Sequence, residues 1–130
     1  MVEHPNVAII RQGFKAFANS EIATLLDAIA DYAVWHSPGK NPLSGDYEGH
    51  QAILEYFTKF SQLSQGTFKT ELLNVLANEY HGVAITRDTA TCQGKTMSWD
   101  GAVIFRLQDG KLAEAWAINQ DQEAVDEFWI

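Results

Sequence analysis

The stretch Val34-Trp35-His36-Ser37-Pro38-Gly39-Lys40-Asn41-Pro42-Leu43-Ser44-Gly45-Asp46-Tyr47-Glu48-Gly49-His50 decides how the rest of the chain is read. With Tyr32 and Ala33 before it, its opening is β-branched and aromatic, and it reads as a strand that stops at Pro38-Gly39. A loop punctuated by proline and glycine follows, and then a helix. An imidazole at the end of a strand, beside a long loop, sits well for chemistry on a rigid scaffold. His36 is therefore the leading chemical candidate. By strand alternation it shares a face with Tyr32 and Val34, while Trp35 points the other way.

Toward the N-terminus, Pro5 suits a first helical turn, where its missing N–H costs nothing. Val7, Ile10, Phe14 and Phe17 recur at helical spacing and predict a helix over residues 5–18. Asn19-Ser20 breaks it, and Ser20 is the expected N-cap of a second helix striped by Ile22, Leu25, Leu26 and Ile29. On the other side, Ile53, Tyr56, Phe57, Phe60 and Leu63 predict a third helix closed by Gly66. From Thr67 the period drops to about two residues. Four strands are expected near 67–80, 83–93, 95–108 and 111–120, broken at His81-Gly82, Gly94-Lys95 and Asp109-Gly110. Connections this short make the strands antiparallel neighbours. From Asp121, the residues Ala124, Val125, Phe128 and Trp129 read as a short terminal helix.

Residues 1–130 thus read as one α+β domain, a curved, mostly antiparallel sheet wrapped around N-terminal helices. Such a sheet leaves a cone-shaped apolar cavity, a common ligand site. Several strands carry apolar residues on both parities: Leu72 and Leu76 against Leu73 and Val75, and Val103 and Phe105 against Ala102 and Ile104. Helices cover one face only, so the outer face is expected to pack against a second subunit as a homodimer.

The balance of 9 Lys+Arg against 17 Asp+Glu, net −8, argues against nucleic acid or an anionic membrane as a partner. The single cysteine, Cys92, excludes an intrachain disulfide and reads as a small buried filler. Met1-Val2-Glu3-His4-Pro5 has neither the basic nor the apolar region of a secretory signal, and no apolar run is long enough to span a bilayer. A cytoplasmic protein is expected. His4, His50 and His81 fall at no metal-ligand spacing, and no phosphate-cradling or nucleophile-elbow motif is present. Neither metal nor cofactor is expected.

Several of these residues together resemble the SnoaL-like branch of the nuclear transport factor 2-like (NTF2-like) superfamily, which includes ketosteroid isomerase. They are Trp35-His36-Ser37-Pro38-Gly39, Pro42-Leu43-Ser44-Gly45-Asp46-Tyr47, Gly66-Thr67-Phe68, Asp109-Gly110-Lys111, Glu114-Ala115-Trp116 and Asp126-Glu127-Phe128-Trp129. The resemblance covers nearly the whole chain. It implies a cone-shaped barrel with an internal pocket, often dimeric, and no obligatory cofactor. His36 matches the position of the isomerase's general base, and an imidazole with a pKa near 6.5 suits proton transfer at neutral pH. Phe14 matches that enzyme's oxyanion-hole tyrosine and Val103 falls near its acid. Neither donates a proton, so steroid isomerisation is not expected. Asp121, beyond Trp116, is similar in place to the acid/base aspartate of SnoaL-type cyclases.

Each candidate has a plainer alternative. His36 is either a proton carrier or a hydrogen-bonded core histidine. Asp121 is also an ideal N-cap for the last helix. Glu114 shares parity with Trp116 and is either a second acid/base or a surface carboxylate. Trp35, Trp99 and Trp116, with Phe14, are pocket walls or plain core, and Tyr56 reaches the pocket mouth or packs. The leading expectation is a cofactor-independent protein that binds a small apolar or planar carbonyl compound. It would move a proton beside that carbonyl, giving isomerisation, cyclisation or dehydration, with His36, Asp121 and Glu114 as the acid/base set. The alternative is a non-catalytic ligand-binding or dimeric interaction module.

Overall fold

The computed structural model describes residues 3–130; Met1 and Val2, which open the segment read for a secretory signal, lie outside them. The first helix, α1 (Pro5–Ala18), starts where His4 Nδ1 accepts the Asn6 N–H at 3.1 Å, with Pro5 in the first turn. Asn6 then donates from Nδ2 to the carbonyls of Asn78 and Glu79, which pins the helix start to a distant turn. Ser20 does not cap the second helix. Its φ of +56° is left-handed, and Glu21 N–H reaches back to Ala16 at 2.9 Å, so Asn19-Ser20 closes α1 instead. Helix α2 (Ile22–Asp27) begins from Glu21 with no side-chain cap.

Strand β1 (Ile29–Ser37) starts earlier than the pattern at Tyr32 suggested. The loop after it contains a short strand, β2 (Gly45–Glu48), paired antiparallel to β1 with His36 opposite Asp46. Sequence periodicity missed β2 because only four residues pair there. Helix α3 (Gly49–Ser64) ends in two left-handed residues, Gln65 and Gly66. Four long strands follow: β3 (Lys69–Ala77), β4 (His81–Cys92), β5 (Lys95–Gln108) and β6 (Lys111–Asn119). The hairpin turns Gln93-Gly94 and Asp109-Gly110 have positive φ at both central positions, the geometry that matches strand twist. His81-Gly82 is not a break: both residues lie in β4, and Asn78 Oδ1 makes the turn by accepting the Tyr80 and His81 N–H groups. Gly82 leaves room for the end of the Ile10 side chain, which a Cβ there would displace. Helix α4 (Gln122–Phe128) completes the chain.

The six strands form one sheet in the order β2-β1-β6-β5-β4-β3, antiparallel except for the β1–β6 pair. It is curved and unclosed, with β2 and β3 as its edges, and the helices lie on its inner face. The core there falls into two packed groups. Ile10, Ile29, Ile53, Phe105 and Leu107 anchor one; Leu43, Cys92, Trp99, Val125, Phe128 and Trp129 anchor the other. Trp35, Tyr47 and Phe57 touch both. A bulge between Leu72 and Asn74 resets parity in β3, so Leu72 and Val75 face inward while Leu76 faces out. The outer face stays apolar and uncovered in the single chain, with Leu76, Ile85 and Ile118 all exposed.

Candidate functional site

Alternation along β1 puts Ala33, Trp35 and Ser37 toward the helices and Val34 and His36 on the outer face. The parallel register aligns Trp35 with Ala115 and His36 with Trp116, so β6 divides its residues the same way. Between the inner face and α1, α3 and α4 lies a cavity of about 110 Å³. Phe14, Trp35, Tyr56 and Trp99, each offered by the sequence as pocket wall or plain core, are among the residues that line it.

His36, Glu114, Trp116 and Asp121 do not line it. Placing His36, Glu114 and Trp116 in the cavity is corrected for one physical reason: both faces of these strands are apolar, so alternation separates the two sets without saying which set is inside; Asp121 lies beyond β6, at the start of α4. On the outer face His36 is held at both ring nitrogens, Nδ1 to Asp46 Oδ1 at 2.7 Å and Nε2 to Glu114 Oε2 at 2.6 Å. Its ring stacks on Trp116 with centroids 5.5 Å apart. Arg106 Nε donates to the other oxygen of Glu114 at 3.4 Å. The Glu114 hydrogen bond, joined by Asp46, raises the His36 pKa above its usual 6.5, and His36 in turn lowers that of Glu114. Two carboxylates on opposite ring nitrogens require both N–H protons, which is the imidazolium. Because they lie on opposite sides of the ring they share no centre, and among the described residues no group of three or more His, Cys, Asp or Glu is arranged to hold a metal ion. Asp121 caps α4: its Oδ1 accepts the Ala124 N–H at 3.1 Å.

Inside the cavity the carboxyl group is Asp88, which the sequence reading passed over. The signal was present. Asp88 shares the buried parity of β4 with Ala84, Thr86, Ala90 and Cys92, where a carboxylate is out of place. It stands in a row across three strands, opposite Thr70 on β3 and Trp99 on β5. Its Oδ1 is sealed from solvent and has no hydrogen-bond partner. Burial pushes its carboxyl up to about 6, against the opposing pull of the Thr70 hydroxyl.

A second polar corner is built by β1 and α3. Tyr56 donates its hydroxyl to Ser37 Oγ at 3.2 Å, and burial drives its phenol pKa up. The indole Nε1–H of Trp35 lies beside this phenol without reaching hydrogen-bond geometry, and it too is buried without a partner. Trp35 is fixed by edge contacts to Phe57 and Phe105, with ring centroids 5.1 Å and 5.8 Å away. The loop after β1 reaches the cavity through Pro38, Asn41 and Leu43. Asn41 Nδ2 ties it to α4 by donating to Asp126 Oδ1 at 2.7 Å, an oxygen that also accepts from Gln122 at 2.8 Å. Gly39 allows this approach, since a Cβ there would strike both Asp126 and Gln122 and its φ is +88°.

A curved, unclosed sheet folded over helices around an apolar cavity is the NTF2-like architecture. The SnoaL-like domain model matches residues 10–115, and the chain belongs to that family, a class of small-molecule-binding domains. An uncharacterised protein of Mycobacterium tuberculosis is 25% identical to it, over 99% of each chain. The structure of Bal32a, from a soil-derived mobile gene cassette, superposes with a TM-score of 0.92 at 32% identity, covering 96% of each chain. An NTF2-like protein of Burkholderia xenovorans shares the fold at 20% identity, with a TM-score of 0.85 over 100% of this chain and 99% of its own. Among the described residues no helix is long and apolar enough to cross a membrane.

Proposed function

We propose that this protein binds a mostly apolar, carbonyl-containing small molecule in the inner cavity and transfers a proton beside the carbonyl, with Asp88 as the acid/base. The observation that carries this reading is a buried carboxyl with one oxygen unpartnered in a mostly apolar chamber, its pKa raised to about 6. A group tuned near the working pH serves as base and then as acid. Ionised Asp88 takes a proton from the carbon next to the carbonyl and becomes the neutral acid, leaving the electron pair as an enolate. Returning that proton to another carbon isomerises the molecule, and returning it to a departing hydroxyl dehydrates it. Trp35, Phe14, Tyr56 and Trp99 are the walls. His36 with Glu114, and Asp121, have structural roles in this scheme, as an outer-face clip and a helix cap. The single buried cysteine suits a reducing cytoplasm.

The test needs no natural substrate. Cyclohexanone in D2O exchanges its α-protons slowly, and NMR follows the rate. Wild type is expected to accelerate exchange, and Asp88→Asn to lose the acceleration by about a hundredfold or more. Binding of cyclohexanone without any acceleration would instead favour the non-catalytic module. That second reading draws on the exposed Leu76, Ile85 and Ile118 of the outer face, which also support a homodimer formed through it.

A further inference from the structure

The chemical class of the ligand follows from three properties of the same chamber. Its volume, about 110 Å³, is below the roughly 300 Å³ at which drug-sized pockets begin, and near the ~150 Å³ of a cavity that takes benzene. That is room for one ring. No Lys, Arg or His lines it, and Asp88 supplies negative charge. A carboxylate or phosphate would enter without a counter-charge and against a like charge. The third property is the unpartnered indole N–H of Trp35, a donor only, next to the Tyr56–Ser37 hydroxyl pair. A buried donor left without an acceptor is costly, and such groups in native proteins call for an explanation.

We infer that the cavity selects a neutral, single-ring carbonyl compound whose oxygen accepts the Trp35 Nε1–H, and that Trp35 is the specificity-determining and positioning residue of the site. This rests on the cavity reading proposed above and adds the polarity, charge and size of the ligand. Holding the carbonyl oxygen at the Trp35 corner turns the neighbouring carbon toward the rest of the chamber. It also places a hydrogen-bond donor where negative charge builds as the enolate forms. Asp88 lies close enough to that corner to raise the Tyr56 phenol further. The geometry also explains why Trp35 is anchored edge-on by Phe57 and Phe105, since a donor that must meet a small ligand cannot swing.

The experiment measures dissociation constants of cyclohexanone, toluene and benzoate for wild type and Trp35→Phe at neutral pH. Wild type is expected to bind cyclohexanone and toluene and to leave benzoate unbound. Trp35→Phe should weaken cyclohexanone about tenfold and move toluene by no more than about twofold. Should Trp35→Phe fail to fold, the Trp35 indole N–H proton in wild type decides. It must shift downfield with cyclohexanone and stay in place with toluene. Equal loss of toluene and cyclohexanone in the variant, or an unmoved indole proton, overturns the assignment while leaving the cavity as a ligand site. Benzoate binding as tightly as cyclohexanone overturns the neutral class. If neither toluene nor cyclohexanone binds wild type, the cavity reading falls as well.

Discussion

Two faces of the same strands treat polar groups in opposite ways. On the outer face of β1 and β6, both nitrogens of His36 and both oxygens of Glu114 have partners, and the indole of Trp116 lies flat on the imidazole. On the inner face, one residue earlier in β1, Trp35 buries an N–H with no acceptor, and Asp88 keeps an oxygen with no donor. A histidine clasped by two carboxylates has its pKa raised and its imidazolium form favoured, which makes it a good clip. A carboxyl with one oxygen unpartnered and its pKa near 6 is held in neither state. Paired charge marks architecture here, and unpaired charge marks the proposed site.

The largest effect should come from the same truncation made on each face. Ile29, fully buried at the start of β1, leaves a cavity as Ile29→Ala and should lose roughly 2–5 kcal/mol. Ile118→Ala, on the exposed side of β6, should stay within about 0.5 kcal/mol. Urea unfolding of both variants at a protein concentration low enough to dissociate a dimer checks this, and equal losses there would mean that Ile118 is packed within the single chain.

Next in size is Asp88. Its folded pKa is raised, so the folded state holds the proton more tightly and stability falls as pH rises from 3.8 through about 6. That rise corresponds to about 3 kcal/mol of strain at neutral pH, an upper figure because the site relaxes. Asp88→Asn should therefore unfold at higher temperature than wild type at pH 7 while losing proton exchange, a stability gain at the cost of function. A variant no more stable than wild type would show that Asp88 is solvated, and the contrast between the two faces would collapse.

The fold was legible because its signals are local. Helical spacing marked α1 and α3, and Asp109-Gly110 marked a hairpin; Asp121 was read correctly as a cap beside its other reading. Even the separation of Trp35 from His36 followed from alternation. The site was less legible because which face is inside is a tertiary fact. Val34, Ile104 and Trp116 make the outer face look as apolar as Trp35, Val103 and Phe105 make the inner one. Asp88 becomes conspicuous only when Thr70 and Trp99 are brought beside it from strands paired in the sheet. The bulge after Leu72 could not be placed by counting, because an added residue reverses parity without changing composition.

A smaller effect, with a pH profile distinct from that of Asp88, belongs to His36. Its raised pKa means its contribution is complete below the usual 6.5 and fades as pH climbs through the folded value. Glu114, whose pKa is lowered, contributes above the usual 4.5 and loses this as pH falls through its own folded value. The clip is therefore strongest between about pH 4.5 and 6.5. His36→Gln should cost about 1 kcal/mol in that window and less above it, since these groups are partly exposed. Thermal melts across pH separate the two groups. Asp88→Asn flattens the stability curve between pH 3.8 and about 6, and His36→Gln flattens it above the usual histidine value of 6.5.

The smallest effect on folding, and the sharpest on assembly, is expected at Ile118. An exposed isoleucine facing the same way as Ile85 and Leu76 does little for the monomer, so Ile118→Asp should leave its stability within about 0.5 kcal/mol. If two copies meet through this face, the change plants a buried charge without a partner in each, on a chain that is already at −8. Sedimentation should then find a wild-type dimer and a folded Ile118→Asp monomer that still binds cyclohexanone, because the cavity lies on the other side of the sheet. A dimer that survives the substitution moves the interface elsewhere. A monomer that loses cyclohexanone binding would mean that the two faces are coupled through β6, and that the outer clip helps to hold the inner site in shape.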